Sequence, residues 1–263
     1  MAIDFDGSTD VLVHASDTLL HGVTACTFGG WIRRDSTQPD SGFGTLMGKI
    51  RAGGSGQPSW MVFIKDSTAE FGVGCRVRLN TTTDDSSANA WDSASDFTAS
   101  TWKHFCCVWA SGATPIIYND GVADSLDDSG GTLTGTMAGE TNSVLVGSAD
   151  ATPSALRYAG DAAELFWDSR AYTAAEVAAL AKGYSPMFFH PVSYWPLFNG
   201  AATIIDRYSR VDLSVTGSPP QASHPRIIYP SRRKVFPFTA AAGGLSIPIA
   251  AYHYNHHLGS MSA

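Results

Sequence analysis

"TWKHFCCVWASGATPIIYNDGVAD", residues 101–124, holds two short apolar runs, then Asn119, Asp120 and Gly121, then a third run. An Asn-Asp-Gly turn between β-patterned runs is the most dependable short-range signal for a hairpin. In a strand, neighbouring side chains point to opposite faces, so Cys106 and Cys107 are expected to look in opposite directions. The pattern extends both ways along the chain. "DVLVHA", "CTFGGWIRR", "GTLMGKI", "SWMVFIKDS" and "EFGVGCRVRLN" precede this stretch, and "SVLVGS" and "AELFWDS" follow it. Each is bounded by Gly, Asp, Asn or Ser, at the spacing of an all-β sandwich or barrel. Alternation assigns faces: Phe71, Val73, Cys75, Val77 and Leu79 form one apolar row, which turns Arg76 and Arg78 toward solvent. In "TFGGWI", Phe28 and Gly30 share one side and Trp31 takes the other.

The chain has 263 residues, enough for one large all-β domain with appendages. An apolar fraction of 44% and a charged fraction of 16% exclude bulk disorder, while 26 glycines and 13 prolines imply many turns. A net charge of −7 argues against a nucleic-acid partner, which would need a dense cationic surface. No apolar run is long enough to cross a bilayer, and the start lacks the pattern of a secretory signal, so synthesis in the cytoplasm is expected. Cys26, Cys75, Cys106 and Cys107 show no metal-ligand spacing and read as small buried hydrophobes in a reducing compartment.

One helix is expected in "YTAAEVAALAKGYSP". Thr173 and Glu176 make a capping box, Gly183 is a C-terminal stop and Pro186 follows. Three regions result: residues 1–183 as the sandwich, 184–225 as a proline-rich extension whose strands complete it, and 226–263 as an extended basic and apolar arm. After Asp212 there is no Asp or Glu at all, so the end of an acidic chain is cationic.

The ordered set "AIDFDGSTDVLV", "CTFGGWIRRD", "GTLMGKI", "TWKHFCCVW", "IIYNDGVAD", "SVLVGS" and "YAGDAAELFWDSRAYTAAEVAAL" resembles the laminin-G-like jelly rolls of the concanavalin A-like lectin/glucanase superfamily over about residues 2–183. The resemblance implies a two-sheet antiparallel jelly-roll sandwich with one short helix. In such proteins a W-P-x-x-x-G…L-x-x-x-G segment commonly precedes "FDG". Here "YWPLFNGAATIIDRYSRVDLSVTG", residues 194–217, follows the helix instead, either completing its own sheet or pairing with a neighbouring subunit.

Related glucanases cleave with carboxylates in an E-x-D-x-x-E arrangement. Glu70, Glu140, Glu164 and Glu176 do not form one, and Asp161 and Glu164 are expected on opposite faces of a strand, so a hydrolase is disfavoured and no catalytic residue is assigned. Carbohydrate binding is what the resemblance most directly implies. Trp60 and Trp91 are expected on loops, where an indole can stack on a sugar, with Asp84, Asp85 and Asp92 able to hold hydroxyls or Ca²⁺. Trp91 leads because polar residues surround it in "NTTTDDSSANAWDSASD", otherwise read as a mobile solvated loop. No metal site is assigned; "HYNHH" near the end reads as solvated.

The arm carries Arg226, Arg232, Arg233, Lys234, Phe236 and Phe238, which suit docking on another chain, the arginines meeting acidic surface and the aromatics serving as anchors. A lectin-like body with such a tail is similar to structural proteins of tailed bacteriophages. This implies a homo-oligomeric virion decoration or fibre-type protein, assembled in the host cytoplasm on capsid or tail subunits, with glycan adhesion outward. A carbohydrate-binding module or adhesin is the alternative.

Overall fold

Ala159–Asp168 (β13) is buried along its whole length, as required of a strand covered on both sides. The computed structural model describes residues 2–50, 58–66, 74–139, 142–197 and 202–230, and Met1–Pro230 fall into one compact unit. Among the described residues two antiparallel sheets form. One runs in the order β10 (Val122–Ala123), β9 (Ile116–Asn119), β8 (Lys103–Ala110), β3 (Ala25–Arg34), β13, β1 (Ala2–Asp6), β17 (Gln221–Ala222), with β14 (Ser193–Trp195) also paired to β13. The second runs β11 (Leu126–Ser129), β7 (Ala90–Ser93), β6 (Gly74–Leu79), β5 (Trp60–Lys65), β4 (Phe43–Ile50), β12 (Asn142–Val146), β2 (Val11–Asp17), β16 (Leu213–Thr216), β15 (Thr203–Ile204). The chain is the expected all-β sandwich.

Inward residues of both sheets interleave in one core that includes Phe5, Phe28, Trp60, Val77, Phe105, Cys107, Trp167 and Leu213. The rings of Phe28 and Trp60 meet across it at 5.2 Å. Cys107 lies in this core and Cys106 in a second cluster on the opposite face, as alternation requires. That second cluster is closed by helix α1 (Ala174–Ala181), whose Val177 and Leu180 pack on Cys106, Val108 and Phe166. The capping box is complete: Thr173 Oγ1 accepts from the Glu176 amide, and Glu176 Oε2 accepts from the Thr173 amide. Gly121 lets the helix approach, since at φ +81° a Cβ there would sit 2.8 Å from Ala181 Cβ.

Residues beyond the helix pair within the same chain. β14 lies along β13, β16 along β2, β17 along β1, and Tyr184 bridges Ile228. A register shift between Ala163 and Phe166 in β13 makes this possible. Glu164 sits within it at φ +55°, buried, with Oε2 accepting from Tyr194 Oη at 2.6 Å and Oε1 from Tyr229 Oη at 2.8 Å, and His224 Nε2 lies 3.2 Å from Oε1. The bulge corrects the expectation for Asp161 and Glu164. One inserted residue reverses the alternation, so Glu164 joins Tyr194 on the outer side, where Asp161 meets Arg33.

His104 on β8 faces Trp31 on β3, ring edge to ring face at 5.3 Å, and its Nδ1 is buried without a partner. Burial pushes its pKa down from 6.5 to about 4, against the pull of Asp120. Between those two values the unfolded ring takes up a proton and the folded ring does not. Stability is therefore complete above about pH 6.5 and falls as the pH drops toward 4. At about 1.4 kcal/mol per pKa unit, the loss approaches ~3 kcal/mol. His104→Phe is expected to flatten this acid limb in urea melts recorded across the range, and an unchanged limb would assign it to other groups.

Candidate functional site

On β5 and β6 the core residues Val62, Ile64, Cys75, Val77 and Leu79 alternate with Phe63, Arg76 and Arg78, which therefore stand on the outer face of the nine-stranded sheet. Register puts Phe63 opposite Arg76, and Arg76 opposite Asp92 on β7; Arg78 lies between Met61 and Ala90. The result is an open trough of about 200 Å³ lined by Phe43, Phe63, Arg76, Arg78 and Leu156. Phe43 and Phe63 meet edge to face at 6.3 Å. Phe63, Met61, Ile50 and Leu145 form a small apolar cluster of their own on this face, so the rings have a firm base.

Arg76 is fixed on both sides. Its Nε and Nη2 donate to the two oxygens of Asp92, each at 2.7 Å, and its guanidinium carbon lies 5.7 Å from the centre of the Phe43 ring. Asp92 also pairs with the buried Lys65 at 3.3 Å. The opposite wall is Leu156, held at φ +50° while its carbonyl accepts from the Thr45 amide at 2.7 Å. Its neighbour Arg157 grips Asp40 with Nη2 at 2.8 Å and the backbone amide at 2.7 Å, and these bonds hold the Asp40 carboxyl below the usual carboxylate range. A shallow site with a ring floor and fixed donors at its rim can take a small molecule that has both an apolar and a polar face.

A second cavity, of about 210 Å³, lies at the β9–β10 turn among Ser95, Lys103, Asn119, Asp120 and Asp124. Its carboxylates are engaged: Asp120 accepts from Lys103 Nζ and the His104 amide, Asp124 from the Ser95 hydroxyl and amide. No ring lines it.

The residues expected to bind sugar do not converge. Trp91 and Trp60 are fully buried strand residues, not loop platforms. Their indole N–H groups donate to Gly131 O at 3.1 Å and Leu20 O at 2.9 Å, so each is satisfied inside the core. The polar segment around Trp91 is not a loose loop either. Asn80 Oδ1 accepts from the Ser86 amide and from Asn89 Nδ2, and β7 then alternates Trp91 inward with Asp92 outward. Asp92 belongs to the trough as the anchor of Arg76, with both oxygens occupied. Asp84 closes a turn onto Thr81 and Asp85 is exposed; among the described residues no group of three or more acidic, His or Cys side chains converges on a cation. Arg76 and Arg78 are half-buried, not in open solvent. Arg226 is exposed, while Phe71, Val73, Arg232, Arg233, Lys234, Phe236, Phe238 and the "HYNHH" segment lie outside the described residues. Two arginines on the outward side of an apolar strand were the sequence signal for the trough.

A family model described as the concanavalin A-like lectin/glucanases superfamily matches residues 6–178. No curated protein matches significantly by sequence. Among solved structures, a Bacteroides ovatus protein classed as carbohydrate binding superposes with a TM-score of 0.59 at 15% identity, covering 82% of this chain and 58% of its own. This chain thus spans little more than half the length of that protein. The heptameric SAP-like pentraxin of Limulus polyphemus superposes at 0.50 with 13% identity, over 68% of this chain and 81% of its own. At these identities the likeness is one of fold.

Because Trp91 is core, Trp91→Ala is expected to cost about 3–5 kcal/mol of stability in urea unfolding. A variant of unchanged stability would return Trp91 to the surface.

Proposed function

Since the chain belongs to the Laminin_G_3 family of the concanavalin A-like lectin/glucanase superfamily, we propose that it binds carbohydrate, without cleaving it, in the trough on the outer face of its nine-stranded sheet. A sugar ring has one face of C–H groups and a rim of hydroxyls. Two phenylalanine rings set edge to face beside the anchored guanidinium of Arg76 and that of Arg78 match both parts, and that juxtaposition carries the proposal. The volume is below that of a drug-sized ligand pocket, which suits one sugar unit of an exposed chain.

The same residues favour binding without hydrolysis. Glycosidic cleavage needs two carboxyl groups flanking the bond, one of them free to carry a proton. The carboxylate described at the trough, Asp92, gives both oxygens to Arg76 and Lys65. Glu164 and Asp161 are engaged on the other sheet by Tyr194, Tyr229 and Arg33. The virion role expected from the sequence depends on the arm of residues 226–263; only 226–230 of it are described, and there Ile228 bridges Tyr184 and Tyr229 donates to Glu164 of the same chain.

The test is a glycan array probed with the full chain, followed by calorimetry on each positive. Phe43→Ala is expected to weaken binding at least tenfold while leaving a cooperative thermal transition, because Phe43 is only partly buried. An array without positives, or affinity indifferent to Phe43→Ala, would overturn the assignment.

A further inference from the structure

Arg78 is the least satisfied charge of the trough. Its Nη2 donates to Ser87 O at 3.2 Å, but Nε is buried without a partner, and among the described residues no carboxylate pairs with it. Its neighbours across the sheet, Met61 and Ala90, offer no acceptor side chain. Asp92, the nearest acid by register, is already shared between Arg76 and Lys65. Burial and then the charge of Arg76 both push the Arg78 guanidinium below its ordinary pKa. An orphaned, partly desolvated guanidinium beside two phenyl rings is a costly arrangement for an empty surface and a favourable one for an incoming anion.

We propose that the trough selects an acidic sugar, one bearing a carboxylate or sulfate group, with that group seated on the outer Nη edge of Arg78 and the ring lying against Phe43. This deepens the carbohydrate reading and rests on it. An uncharged sugar can offer hydroxyl acceptors to Arg78, but a charged acceptor forms a shorter and stronger pair with a guanidinium and removes its repulsion from Arg76. Because the chain as a whole carries −7, long-range attraction for acidic polymers is absent, and the preference has to come from the site itself.

The full chain would be titrated calorimetrically with oligogalacturonate, its methyl ester, a sulfated galactan and poly-glutamate, at low and high salt. The expected result is binding of at least one acidic glycan at least tenfold tighter than the ester, weakened by salt. The oligogalacturonate and sulfated arms distinguish the two acid groups. Arg78→Gln should abolish this preference and Arg78→Lys should keep part of it, with the melting temperature of each variant confirming the fold. Equal affinity for the ester overturns the selectivity and leaves carbohydrate binding standing. Equal affinity for poly-glutamate shows that charge alone is read and overturns the sugar assignment. No binding by any of the glycans, combined with an array without positives, overturns both readings together.

Discussion

Burial of β13 on both faces is the constraint from which the rest of the molecule follows. Its inner side supplies Ala162, Leu165 and Trp167 to the core between the sheets, and its outer side supplies Phe166 to the layer under the helix. A strand with no wet face must bond every backbone group to a neighbour. β3 and β1 flank its first half, and after the register shift β3 and β14 flank the second. The extension after the helix thereby becomes part of the sandwich. Glu164 marks the place where the partner changes: its backbone is left-handed, and its carboxylate accepts from two tyrosine hydroxyls, Tyr194 of the extension and Tyr229 at the start of the expected arm.

On the opposite sheet the same pleat produces the trough. An apolar row facing inward obliges its alternate residues to face outward, so the arginines of β6 are delivered to one face by the packing of Cys75, Val77 and Leu79. Their surroundings are then set by register. Arg76 meets an acid on β7 and becomes a paired, rigid part of the wall, whereas Arg78, one pleat along, meets Ala90 and has no carboxylate partner among the described residues. Two like residues on one strand therefore acquire different roles through what their neighbours carry.

Much of this was legible in the sequence. Alternation and turn residues yield the strands, the capping box marks the helix to the residue, and the vicinal cysteines divide between faces. The site was not, and Trp91 shows why. Polar neighbours made it look wet, yet Asn80 and Asn89 turn those neighbours into hydrogen-bonded structure and leave the indole facing inward. Local polarity describes composition, while burial is decided by the sheet that packs on top. The bulge at Glu164 was illegible for a related reason: no glycine or proline in "AAELFW" signals an extra residue, and its cause lies in partners thirty and more positions away.

Cys26, Cys75, Cys106 and Cys107 are all free thiols and all buried, and their surroundings push each pKa upward. The thiolate is the nucleophile that attacks an alkylating reagent, so the closed molecule presents no reactive thiol to one. Modification must wait for the sheets to part. Because the four sulfurs report from the central core and from the layer under the helix, the order in which they react would record which layer lifts first. The chain thus carries its own chronometer of opening, needing no added label or engineered residue.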